Sequence, residues 1–149
     1  MNSQLLGYYL FAILVGALGG IHIPINGALG ARINSTLVAV FTFYGVAFVL
    51  ISIACLVRWE ADAFRALGTV PRWYFIAGMI SVVVVGGGTF LIPRIGAVNL
   101  FVLILSAQLI VRSIISHFGL LESPVTPITW IKALGALFLI FGAYLIVRR

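Results

Sequence analysis

Five apolar runs, each about as long as a bilayer is thick, leave this chain few ways to fold. They lie at about residues 5–31, 36–57, 73–92, 97–116 and 128–147. A helix needs about 20 apolar residues to cross the hydrocarbon core of a membrane. Lipid offers no partner to a backbone N–H or C=O, so such runs become helices, which pair those groups internally. Charge points the same way. Only 8% of the 149 residues are charged, against about 25% in a soluble domain. Nine Lys/Arg and three Asp/Glu cannot coat a surface facing water. The spans also leave no room for a soluble domain. The sequence predicts an all-α integral membrane protein, residues 1–149 forming one five-helix transmembrane domain.

The net charge of +6 does not indicate a nucleic-acid partner, because the basic residues sit singly at the ends of apolar runs, as in loops near lipid headgroups. Cys55 is the only cysteine, so no intrachain disulfide forms. The start, Met1-Asn2-Ser3-Gln4, has neither Lys nor Arg, which predicts a retained helix, not a signal peptide. Pro24, surrounded by Gly16, Gly19, Gly20, Gly27 and Gly30, predicts a kinked or broken first helix. Ser35 or Thr36 is expected to cap the second. Arg58 to Arg72 reads as a short surface helix or an ordinary loop. Pro93-Arg94 reads as a tight turn, and Thr126-Pro127 as the N-cap and first residue of the fifth helix.

Orientation signals are balanced. Spans fold back and forth, so Arg58, Arg65, Arg72 and Lys132 fall on one side. Arg32, Arg94, Arg148 and Arg149 fall on the other. The positive-inside rule works through a Lys/Arg asymmetry, and four against four, with Arg112 left aside because it lies within the fourth span, supplies none.

Chemistry concentrates in the first and fourth spans. His22 and Asn26 are four residues apart and share a helix face, as do Gln108 and Arg112, with Ser116 continuing that face. Asn99, Ser106 and Ser113 follow one another at seven-residue spacing. Ionisable and polar groups at membrane depth are costly and usually face a bundle interior or a cavity. Arg112 lies about 9 Å from the middle of its helix at about 1.5 Å per residue. It can anchor an anionic substrate or snorkel to the headgroups. His22 can couple protons or satisfy a carbonyl freed by Pro24. Gly86-Gly87-Gly88 can form a gate or a close packing surface; Gly135 and Gly142, seven apart, suit a helix seam. No Asp or Glu lies inside any span. No metal-ligand spacing, catalytic triad or phosphate loop is present, so neither an enzyme nor a cofactor is expected.

Several segments resemble a known family. Gly19-Gly20-Ile21-His22-Ile23-Pro24-Ile25-Asn26-Gly27-Ala28-Leu29-Gly30 is similar to the opening motif of the YdcZ-type five-helix inner-membrane exporters of the drug/metabolite transporter superfamily. Pro93-Arg94-Ile95-Gly96-Ala97 resembles that family's turn motif. Gln108, His117-Phe118-Gly119-Leu120-Leu121, Pro124, Pro127 and Gly135-Ala136 continue the likeness. It departs at Ala107, where the family has Gly, at Ser116, where it has Asp, and at Glu122, where Gly is common. The resemblance implies a multi-pass protein of the bacterial inner membrane that works as an antiparallel homodimer, ten helices in all, with dual topology. It also implies transport, most readily export, of a small molecule. With no carboxylate in the spans, a polar, anionic or zwitterionic metabolite is the expected substrate. Its contacts would be His22, Asn26, Asn99, Ser106, Gln108 and Arg112. Pro24, Gly86, Gly87, Gly88, Gly135 and Gly142 would serve helix breaks or packing. A passive channel and a non-transporting subunit of a larger membrane complex are the alternatives.

Overall fold

The computed structural model describes residues 3–148. Met1, Asn2 and Arg149, on which the reading of the N-terminus and part of the arginine count rest, lie outside the described residues. The chain forms α1 (Ser3–Arg32), α2 (Thr36–Val57), α3 (Ala61–Ala66), α4 (Ile76–Ile95), α5 (Ala97–Phe118) and α6 (Trp130–Val147), with short 3₁₀ turns at Leu67–Thr69, Arg72–Phe75 and Leu120–Glu122. Five stretches are long and apolar enough to cross a membrane. They are Gln4–Arg32, Thr36–Val57, Arg72–Ile95, Ala97–Phe118 and Trp130–Val147. Large apolar side chains such as Phe11, Phe41, Phe48, Met79, Val83 and Ile131 stand exposed along these helices, as lipid-facing residues do.

The helix ends show where local chemistry overrode the expected boundaries. Ser35 caps α2, its hydroxyl accepting from the Val38 amide at 3.2 Å. Pro24 does not break α1, which stays helical from Ser3 to Arg32. One lost backbone bond costs less than unwinding a turn in lipid, where each unpaired group costs several kcal/mol. Pro93-Arg94 is not a turn either. Both residues lie in the last turn of α4, and the helical run is interrupted at Gly96, with φ 79° and ψ 158°. The cap of α6 is Thr129 rather than Thr126, its hydroxyl accepting from the Lys132 amide at 3.4 Å. Thr126 is held elsewhere, its amide donating to the Ser116 carbonyl at 2.9 Å. The span ends therefore move from residues 73–92 to 72–95, from 116 to 118, and from 128 to 130. Between Arg58 and Arg72 a six-residue helix forms, α3, where Asp62 and Arg65 pair across one turn and Phe64 stacks on Trp59.

The chain divides into two compact units after Arg94. In the first, α1 makes its closest approaches through small residues. A Cβ on Gly27 would lie 2.9 Å from Ile92 Cγ2, and one on Gly30 would lie 3.5 Å from both Ala39 Cβ and Thr89 Cγ2. At the same level the Asn26 amide donates to Thr89 Oγ1 at 2.8 Å, tying α1 to α4. Tyr44 and Ser81 hydroxyls, 2.6 Å apart, tie α2 to α4. Of the triple glycine, Gly88 is buried and Gly86 faces Val40 on α2, which fits packing.

In the second unit, α5 packs against α6 and the loop between them is stapled to the end of α5. The Ile128 amide donates to His117 Nδ1 at 3.1 Å. Ser116 and Ser123 hydroxyls are 3.3 Å apart. Gly119 ends α5 in the left-handed region, at φ 63°, and a Cβ there would sit 2.7 Å from Val125 Cγ2. Nothing lies within 4 Å of a Cβ built on Gly135 or Gly142. Neither makes the close helix seam expected of it within this chain, because no neighbouring backbone approaches either position.

Overpacking at a tight contact costs about 1–3 kcal/mol, and hydrogen bonds between spans average about 0.6 kcal/mol with a ceiling near 1.7. Gly27→Val should therefore lower stability more than Thr89→Val does. Unfolding of the purified variants by denaturing detergent measures both. Wild-type stability in Gly27→Val would show that α1 does not approach Ile92 as closely as described.

Candidate functional site

The first unit places His22 and Asn26 together. They stand one turn apart on α1 and line one cleft of about 390 Å³ with Thr42 and Phe43 of α2. Most of its remaining wall is apolar. The imidazole stacks on Phe43, with ring centroids 5.6 Å apart and 27° between planes, which fixes its orientation. Asn26 is 4% exposed. Its amide commits one hydrogen to Thr89, itself 1% exposed, so a clamp between helices is its first role. Thr42 donates back to the Val38 carbonyl.

The second unit gathers another set. Arg112, Ser113 and Ser116 on α5, Thr126 in the loop, and Lys132 and Gly135 on α6 line a cleft of about 420 Å³. They meet because α5 presents positions three and four residues apart on one face, and because the stapled loop carries Thr126 and Ile128 across the end of that face. No carboxylate lines this cleft. Both basic groups are therefore uncompensated within its walls, an arrangement that attracts anions where the dielectric is low.

The serine line on α5 is directed inward to its own helix. Asn99 donates to the Ile95 carbonyl at 3.0 Å, Ser106 to Val102 at 2.8 Å and Ser113 to Leu109 at 2.7 Å. These back-bonds occupy both hydroxyl donors and one of the two Asn99 amide hydrogens, and leave the oxygens able to accept. Gln108 is half-buried and does not line the Arg112 cleft. Among the described residues no group of His, Cys, Asp and Glu is placed to hold a metal ion.

Two residues carry more than their sequence positions suggested. Thr89 is a buried partner for Asn26; the signal was a lone hydroxyl after three glycines inside a span. Lys132 shares a cleft with Arg112, although in sequence it served only as a loop-side charge. It is the only lysine in the chain.

If α5 turns the Arg112 face to water, cysteines placed at Arg112 and Ser116 in a Cys55→Ser background should react readily with a membrane-impermeant maleimide. Cysteines at Leu103 and Ile110 should react several-fold more slowly. Equal rates at all four positions would show that the face is assigned wrongly.

No curated protein and no solved structure matches the chain. A family model does, over residues 7–145, and it is described as "Putative inner membrane exporter, YdcZ". That match reaches into all five apolar spans and includes both clefts, and the chain belongs to the YdcZ family of multi-pass inner-membrane proteins.

Proposed function

We propose that the chain is a carrier that exports a small polar metabolite, anionic or zwitterionic, across the inner membrane. Membership of an exporter family supports the transport class. The observation that carries the substrate reading is the Arg112 cleft, whose walls hold two basic residues and no carboxylate. Cations repel organic cations there and stabilise a carboxylate or phosphate by charge-assisted hydrogen bonds. Gln108 adds a neutral donor and acceptor on the same helix. On α1, His22 offers an imidazole ring to the cleft, and Asn26 keeps its carbonyl oxygen and second amide hydrogen after binding Thr89. Asn99 and Ser106 contribute acceptor oxygens.

Five helices build a thin wall, so the working unit in this proposal is an antiparallel homodimer of ten. Two oppositely inserted copies supply the inverted repeat on which alternating access rests. The four-against-four distribution of basic residues supports insertion both ways.

Reporters fused to the C-terminus should be active on both sides of the native membrane, and two lysines added between Arg58 and Arg72 should fix one orientation. Activity from a single side in the unmodified protein would sink the antiparallel dimer. For the substrate, Arg112→Gln should slow uptake of the transported anion into proteoliposomes by about tenfold, the factor that loss of about 1.4 kcal/mol of a charge-assisted bond gives. Counterflow separates the carrier from a passive channel. Saturable transport of a quaternary ammonium compound, unaffected by Arg112→Gln, would overturn the charge argument.

A further inference from the structure

We infer that the cleft between α5 and α6 is an oxyanion-binding site in which Lys132 at the mouth and Arg112 deeper in the span together hold a phosphate or carboxylate group. The inference deepens the carrier reading by naming the recognition chemistry, but the binding it describes does not require flux.

Depth follows from helix geometry. Lys132 is the third residue of α6, about 3 Å along the axis from its first. Arg112 precedes the last residue of α5 by six positions, about 9 Å. The two ends are joined by the short loop that is stapled to α5, so Lys132 stands near headgroup level while Arg112 is set further in. Of its three ammonium hydrogens, Lys132 commits one to the Pro127 carbonyl at 3.1 Å. That bond positions the amine against the loop and leaves two donors. Arg112 supplies a planar fork suited to two oxygens at once.

The rest of the wall fits the same ligand. Ser116 and Thr126 bring hydroxyls to the cleft, and Thr129, as N-cap, aligns the first turn of α6 so that its positive end lies at the mouth beside Lys132. Gly135 leaves the floor open, since nothing lies within 4 Å of a Cβ built there. An isolated charge within a span is costly. Arg112, facing a cleft that Lys132 also lines and that holds no carboxylate, is stabilised by an anion that enters it.

The oxyanion can arrive on a free solute or on an anionic lipid headgroup, and the test separates these sources. The purified full-length protein in an uncharged detergent is unfolded thermally while sodium phosphate replaces sodium chloride at constant ionic strength. In parallel it is unfolded in phosphatidylcholine nanodiscs with and without phosphatidylglycerol. Phosphate should raise Tm saturably. Lys132→Gln and Arg112→Gln should each weaken the phosphate response about tenfold, Lys132→Arg should retain most of it, and Arg148→Gln should match wild type. The ligand-induced shift is read rather than Tm itself, because losing the Pro127 bond can lower the baseline of Lys132→Gln. Stabilisation by phosphatidylglycerol that phosphate competes away assigns the site to a headgroup as well. Stabilisation by phosphate alone assigns it to a free anion. No stabilisation of wild type by either, or equal shifts in Lys132→Gln, Arg112→Gln and Arg148→Gln, overturns the site. Saturable phosphate binding without any flux in proteoliposomes would leave the cleft standing and remove the carrier. Saturable anion flux indifferent to both substitutions would do the reverse.

Discussion

Lipid gives a polar group nothing to bond to, and most of this structure answers that single constraint. Each N–H and C=O in the spans must be paired within the protein. The continuity of α1 through Pro24 follows directly, since breaking the helix would free several groups to relieve one. The side-chain pattern follows too. Asn99, Ser106 and Ser113 return their donors to their own helix, and Asn26 reaches Thr89 on α4. Among the described residues, no buried side-chain nitrogen or oxygen is left without a partner.

The same solvent removes the usual force for bringing helices together, because lipid tails are as apolar as leucine. Close packing and a few polar bonds replace it. In the first unit both act at one level of α1. Gly27 and Gly30 lie against Ile92, Ala39 and Thr89, and Asn26 supplies the bond. In the second unit the work is done at a helix end, where the loop from Ser123 to Ile128 is tied to Ser116 and His117. Gly119 makes that possible, as its left-handed backbone and missing Cβ let Val125 come close.

The functional consequence lies in what these ties leave over. Polar groups that hold helices together are spent, at least in part, and this is the position of Asn26. Arg112 and Lys132 are different. They occupy the wall of a cleft with hydroxyls around them and no carboxylate among its lining residues. A membrane protein that carries uncompensated charge into a span has an unmet electrostatic demand, and in the proposed carrier an anionic ligand meets it.

Five spans, their near boundaries and the Ser35 cap were legible in the sequence, because hydrophobic length and local hydrogen-bonding chemistry are properties of contiguous residues. So was the sharing of a helix face by His22 and Asn26 on α1 and by Arg112 and Ser116 on α5, because helix periodicity alone sets it. The helix break at Gly96 and the cap at Thr129 were not, since α4 runs on through Pro93 to Ile95 and since a loop amide, that of Thr126, was claimed by Ser116 ten residues away. Only tertiary structure decided that Asn26 would meet Thr89, 63 positions along the chain, that Gly135 would line a cleft instead of a seam, and that Lys132 would join Arg112. Those outcomes depend on which faces of separate helices come together. In lipid that choice is made by a few small residues and hydrogen bonds, and it leaves no periodic trace along the chain.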